Sequence, residues 1–262
     1  MSAPAVLERE LGLLSYAALS RAESDLHAWR ETGYRVLTFT GAGYPENLRV
    51  TGDRPPLLFV MGELLNSDQR AVAVIGSRQA SDAGLATARA VSEALASAGF
   101  TVISGLAAGV DAEAHRAVLA LRASQPEPSG GFSRRSRSVA ARTIAVLGTG
   151  LDRVYPPEHA ELQAQVARHG AIVSQFWPGS PPTARSFPAR NAVMSGMSLG
   201  SVIIEASEHS GTRIQARQAL AQGRLVVLMR PVLNSAWARS LAELPGVVVA
   251  SEPGDVLDLF GR

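Results

Sequence analysis

Short apolar runs alternate along this chain with longer stretches of helical periodicity, and nearly every apolar run stops at a glycine, a hydroxyl or an acid. The sharpest is Val72-Ala73-Val74-Ile75, uncharged and rich in β-branched side chains, the pattern of a strand buried on both faces. It breaks off at Gly76-Ser77-Arg78. Residues 79–98 follow with apolar positions at helical spacing, Ser81 and Asp82 as N-cap candidates and Gly99 as the stop. The next strand, Phe100-Thr101-Val102-Ile103, ends in Ser104-Gly105 and completes a βαβ unit. A helix bearing Asp111, Glu113, His115 and Arg116 is expected to end near Ala120. Beyond it come a strand over 143–147 ending in Gly148-Thr149-Gly150, a helix over 158–169 and a strand over 171–173. A long loop, 177–191, leads to a small-residue helix through Met194 to Ser198. The remaining elements are a strand over 201–204 ending in Glu205, a helix over 211–221 and strand candidates at 225–229 and 247–250. Upstream, 5–19 and 23–31 suit helices, 35–39 suits a strand, and 53–62 is a turn-rich lead into an apolar strand. Strand-to-helix succession of this kind predicts an open α/β sheet, which binds its ligands at the carboxyl ends of its strands.

One stretch breaks the rhythm. Residues 122–142 contain Gln125-Pro126-Glu127-Pro128-Ser129-Gly130-Gly131 and then Arg134-Arg135-Ser136-Arg137, with five arginines against one glutamate, the composition of a basic, flexible insertion. The first 40 residues read as a small helical leader.

Composition narrows the chemistry. The 262 residues contain no cysteine, which excludes disulfides, thiolate metal sites and cysteine nucleophiles. All 25 basic residues are arginine, so a phosphate-binding or Schiff-base lysine is excluded as well, and an anion must be held by arginine, main-chain N–H groups or helix N-termini. Met1 to Glu10 does not have the pattern of a secretory signal, and no uncharged run reaches membrane-spanning length, so a cytoplasmic location is expected. The five histidines show no metal-ligand spacing, and no Gly-x-Gly-x-x-Gly fingerprint is present; neither a metal, another cofactor nor hydride chemistry is expected.

Four strand ends bring polar groups to one edge: Gly76-Ser77-Arg78, Ser104-Gly105, Gly148-Thr149-Gly150 and Glu205. Converging glycine-rich turns and helix N-termini suit a phosphate, of a mononucleotide or of a nucleic-acid backbone. Arg78, Arg190 and Arg213 are candidate ligand contacts, with the Asn191 amide beside Arg190. Asp111 and His115 share a helix face, as acid–base partners or as a cap and a loop anchor. Glu205 suits a ribose hydroxyl, a general base or a structural carboxylate.

Several ordered blocks carry a resemblance. Gly76-Ser77-Arg78, Ser104-Gly105-Leu106-Ala107-x-Gly109-x-Asp111-x-x-x-His115, Ile144 through Asp152 with Tyr155-Pro156, Phe187-Pro188-x-Arg190-Asn191 and Ser210-Gly211-Thr212 resemble the DNA-processing protein A (DprA, also called Smf) family, from about Tyr44 to Gly223. The resemblance implies an extended Rossmann-like domain over 41–262, a parallel or mixed sheet with helices on both faces. It implies a homodimer that binds single-stranded DNA, protects it during transformation and loads a RecA-type recombinase, with no catalytic turnover. Carried over by position, Gly76, Ser77, Arg78, Ser104, Gly105, Arg190, Asn191, Ser210, Gly211 and Thr212 line a pocket for strand phosphates and a base. Arginine and main-chain N–H groups follow a phosphate backbone without reading sequence.

The departures concern charge. Ala108, Ala189 and Ala192 stand where the family often has arginine, and Trp177 interrupts a usually proline-rich loop; each lost phosphate contact flattens the salt dependence of binding. A divergent copy of this kind also resembles Rossmann-like sensors of free nucleotides, some in phage defence. A third reading, a nucleoside-monophosphate phosphoribohydrolase of the LOG family, requires Pro-Gly-Gly-x-Gly-Thr-x-x-Glu, and the chain instead has Glu205 ahead of Gly211-Thr212.

Overall fold

The computed structural model describes residues 16–125, 140–208 and 210–261. Most of the 122–142 insertion, with Arg134, Arg135 and Arg137, lies outside them, as do residues 5–15 of the leader. The described residues fall into two compact units that divide between Val36 and Leu37.

Among the described residues the first unit contains the helix α1 (Tyr16–Glu31), which is continuous through Ser20-Arg21-Ala22, where a break between 19 and 23 was expected; that stretch contains no residue that breaks a helix. Its last turn carries Arg30, favourable at a helix carboxyl end.

The second unit is built on a sheet whose strands are β1 (Arg35–Thr38, of which Leu37 and Thr38 belong to this unit), β2 (Leu57–Gly62), β3 (Ala71–Ile75), β4 (Thr101–Ser104), β5 (Arg142–Leu147), β6 (Ala171–Ser174), β7 (Gly200–Ile203), β8 (Leu225–Met229) and β9 (Val247–Ala250). Among the described residues their order is β1-β2-β6-β5-β4-β3-β7-β8-β9. From β6 to β9 every pairing is parallel, and β2 joins β6 antiparallel, Phe59 opposite Ser174. The sheet is mixed, and every residue of β3, at its centre, is buried. An uncharged β-branched strand is stable only when both faces are covered.

The helices supply that cover. After the short α2 (Glu46–Arg49), α3 (Asp82–Ser97), α4 (Val110–Ser124) and α5 (Ala160–His169) follow β3, β4 and β5 and pack side by side in one layer. The connections that follow β6 and β7 carry α6 (Ser186–Met197) and α7 (Thr212–Ala221), which pack on each other. The chain thus winds one way from β3 to β4 and the other way out to β7. Its switch point lies between the adjacent strands β3 and β7, where an open α/β sheet leaves a crevice.

Three expectations need correction. The helix after β4 runs to Ser124, not to about Ala120, and Arg142, counted with the basic insertion, is a buried strand residue. Its guanidinium pairs with Asp68 at 2.6 Å, a carboxylate that also accepts from Thr101. Second, Phe187-Pro188-Ala189-Arg190-Asn191 lies in the first turns of α6, not in a loop; Pro188 is tolerated there because first-turn N–H groups have no intrahelical partner. Third, α8 (Ala236–Ala242) and α9 (Pro253–Phe260) were not anticipated, although Pro253 stands at the first helical position and Asp255 accepts from the main chain of Ser251 and Glu252.

Candidate functional site

At the switch point a cleft of about 550 Å³ opens at the carboxyl ends of β3 and β7. Gly76, Ser77, Arg78, Arg190, Asn191, Ser210, Gly211 and Thr212 line it, together with Asp111, Phe187 and Gln215. A smaller hollow of about 150 Å³ adjoins it and shares Arg78, Ala107, Phe187 and Arg190; Gly105, Ala108 and Gly148 line that one. The combined size suits a nucleotide-sized ligand.

The lining has a buried polar floor and an exposed rim. Arg190, a candidate ligand contact from the sequence, is only 5% exposed. Its Nη1 donates to the carbonyls of Gly105 at 2.6 Å and Val146 at 2.8 Å, and its Nε donates to Asn191 Oδ1 at 3.0 Å. Asp111, equally buried, accepts from the N–H of Gly105 at 3.1 Å, and the main-chain N–H groups of Gly76 and Ala107 also favour its charged form. The Gly105 peptide therefore lies between two buried charges. A Cβ on it would stand 1.9 Å from Arg190 Nη1 and 2.7 Å from Asp111 Oδ2, so glycine is required. Burial pushes the Asp111 carboxyl above its ordinary range, while Arg190 and the three N–H donors pull it back; burial likewise lowers the Arg190 pKa, against the pull of Asp111.

This floor changes the reading of the glycine turns. Their N–H groups were expected to face a ligand phosphate, yet that of Gly105 is donated to Asp111. The N-terminus of α3 is taken by Glu205, whose carboxylate accepts from the Ser81 main chain at 3.0 Å and from its hydroxyl. Ser81 in turn caps α3 by accepting from Gly84 N–H at 3.0 Å. Glu205 is thus a structural carboxylate tying β7 to α3. Ser81→Ala is expected to cost about 1–2 kcal/mol, the usual worth of an N-cap, as a lower urea midpoint with an unchanged slope.

The rim belongs to Arg78. Its side chain is exposed and its guanidinium stands 5.2 Å from the centroid of the Phe187 ring, a cation–π contact. Among the described residues it is the one exposed cation lining either hollow. Gly109, with φ +75°, lets α4 begin directly behind it: a Cβ there would lie 2.2 Å from the Ser77 carbonyl, which accepts from Val110 N–H. Across the cleft, the Ser210 hydroxyl accepts from Thr212 N–H at 3.2 Å and organises the start of α7.

Three predicted residues lie elsewhere. Ser104 is fully buried and donates to the Val74 carbonyl at 2.6 Å, bridging β4 to β3. Gly150 is buried under the turn at 177–180 and donates to Ser180 O at 3.0 Å. Arg213 points away from the cleft into a separate hollow with Arg217, Trp237 and Leu241, because its helix turns it from the face that Thr212 and Gln215 share. The converse omission is Gln215, 2% exposed, lining the cleft with its amide nitrogen unpartnered among the described residues. Its position three residues after Thr212 was the available signal.

Comparison with known proteins bears on the family and the fold. The family model of DNA recombination-mediator protein A matches residues 35–244. The Escherichia coli protein Smf is 35% identical over 239 residues, covering 90% of this chain and 59% of that one. The Bacillus subtilis DNA processing protein DprA is 31% identical over 202 residues, covering 77% and 62%. This chain therefore spans less than two thirds of the length of these relatives. Among solved structures, DprA from Streptococcus pneumoniae superposes with a TM-score of 0.74 at 29% identity, covering 98% of this chain and 87% of that one. DprA from Helicobacter pylori, whose structure was described for its single-stranded DNA binding mode, gives 0.70 at 23% identity over 86% and 94%. With matches of this extent in both sequence and fold, the chain belongs to the DNA recombination-mediator protein A family.

Proposed function

We propose that this chain binds single-stranded DNA along the carboxyl edge of its sheet, as a non-enzymatic, cytoplasmic homodimer that protects the strand and assists a RecA-type recombinase. The observation that carries the reading is the rim of the cleft: one exposed guanidinium on an aromatic ring beside the start of α7. A cation and a π-face are what a strand without sequence preference needs, the first for a phosphate and the second for a base. The DNA-processing names of the relatives and the strand binding described for the Helicobacter pylori protein support it. The proposed extents remain a leader over 1–40 and a binding domain over 41–262 carrying the 122–142 insertion.

Charge at this site is sparse. Ala108, on the wall of the smaller hollow, and Ala189 and Ala192, on α6, contribute none, so affinity rests on few phosphate contacts and falls gently with salt. Fluorescence anisotropy with labelled single and double strands across a salt series tests this. Single strands are expected to bind better than duplex. Arg78→Ala is expected to weaken binding about tenfold and to reduce the slope of log K against log salt by about 0.7, one phosphate contact. Single strands held no better than roughly 10⁻⁴–10⁻⁶ M near physiological salt, with Arg78→Ala unchanged, would reject the reading and turn attention to free nucleotides.

A further inference from the structure

Beside the main cleft, the hollow of about 150 Å³ has a composition of its own. Tyr155 and Phe187 form one aromatic wall, their ring centroids 5.7 Å apart at an interplanar angle of 44°. Gly148 lets the Phe187 ring settle low against the end of β5: a Cβ there would stand 3.0 Å from Phe187 Cδ1. Leu147 and Pro156 add further apolar surface, and Ala108 contributes only a methyl group. A space of this volume with apolar walls takes one six-membered ring, the size of benzene.

Two exposed charges of opposite sign line this hollow. Arg78 rests on Phe187 and faces the main cleft as well. Glu158 lies in the single turn (Pro157–His159) ahead of α5, and its carboxylate makes no hydrogen bond or ion pair among the described residues. The other polar groups of the lining are engaged: the Thr149 hydroxyl donates to the Gly150 carbonyl at 3.1 Å, and Arg190 is held by the Gly105 and Val146 carbonyls. A carboxylate repels a phosphate and accepts from an amine. A nucleotide unit seated here therefore turns an amino group toward Glu158 and keeps its phosphate at Arg78.

We infer that this hollow takes one cytosine of a bound strand: the pyrimidine ring lies against Tyr155 and Phe187, Glu158 accepts from its N4 amine, and the adjoining phosphate sits at Arg78. The volume suits one ring rather than the two of a purine, and thymine would turn a carbonyl oxygen toward the same carboxylate. The inference rests on the single-stranded DNA reading and adds to it a base preference at one position of an interface that otherwise follows the backbone.

The test compares the full chain's affinity, by anisotropy, for an oligodeoxycytidylate and an oligothymidylate of equal length, about 12 nucleotides, within the usual range of site sizes. The wild type is expected to hold the cytidylate about fivefold more tightly, the low end of what one good base contact discriminates. Glu158→Gln, at an exposed position, is expected to bring that ratio to about one, because an amide can accept from cytosine or donate to thymine. The ratio is the readout, since removing an acid near Arg78 tightens both strands. Ala108→Leu, which fills the hollow, is expected to abolish the preference and leave the salt slope unchanged, as no phosphate contact is lost. Urea unfolding shows whether that variant is folded; if it is not, Glu158→Gln decides alone. Equal affinities in the wild type, or a preference that Glu158→Gln leaves intact, would overturn the inference while strand binding stands. A wild type that holds neither strand above the non-specific level removes the single-stranded DNA reading itself, and this inference with it.

Discussion

Exchanging Arg190 for methionine is expected to destabilise the folded protein by about 3–5 kcal/mol, the cost of leaving a buried charge without its counterpart. Arg190 is 5% exposed, bonds the Gly105 and Val146 carbonyls and faces the buried Asp111 carboxylate across one peptide. Methionine fills the space but leaves two carbonyls and a carboxylate unmatched. The deficit has a characteristic pH dependence. Burial already raises the Asp111 pKa, and removing Arg190 raises it further. The folded variant then holds a proton more tightly than the unfolded chain, so its stability improves as pH falls. Urea unfolding of wild type and Arg190→Met from pH 7 down to about pH 4 should show the gap narrowing with acid. A gap constant across that range would mean that packing, and not charge, accounts for the loss.

The second large effect lies at His115. This ring is wholly buried, and its Nδ1 is 2.7 Å from the Thr143 hydroxyl. Burial, with the nearby charges of His159, Arg190 and Arg116 adding to it, lowers the pKa from 6.5 to about 3. The unfolded chain therefore takes up a proton that the folded one refuses. The stability contributed by the neutral ring is fully present above pH 6.5 and is lost by about 1.4 kcal/mol per pH unit as pH falls below it. Wild-type unfolding free energy at pH 7, 6 and 5 should fall accordingly. His115→Asn should flatten that limb whatever its own cost at pH 7. An equally steep limb in the variant would assign the acid sensitivity to another group.

His115 and Arg190 also mark how far the sequence could be read. The central strand and its Gly76-Ser77-Arg78 terminus were legible because a β-branched, uncharged run has one stable environment, and the turn after it is local. So was the Ser81 cap, since its partner Gly84 is three residues away. Arg190 was not: a guanidinium reads as a surface group, and the carbonyls that bury it lie 85 and 44 residues away. Arg142 is the same case, drawn from a basic stretch to Asp68 across 74 residues. The placement of Phe187 in a helix was obscured by Pro188, a helix breaker everywhere except the first turn. Glycine turns were correctly located but wrongly provisioned, because nothing local says that the Gly105 N–H closes on Asp111.

That closure bears on which anions the cleft admits. A free nucleoside polyphosphate concentrates several charges on one short chain and settles where successive N–H groups fan around a glycine turn. Here the turn at Gly105 already holds a carboxylate, and the α3 terminus holds another. A soluble polyphosphate arriving there meets like charge, whereas a polynucleotide brings one charge per unit and can lie along the open rim. If the proposed reading holds, the carboxylate of Asp111 on the cleft floor therefore favours a chain lying along the rim over a compact polyphosphate.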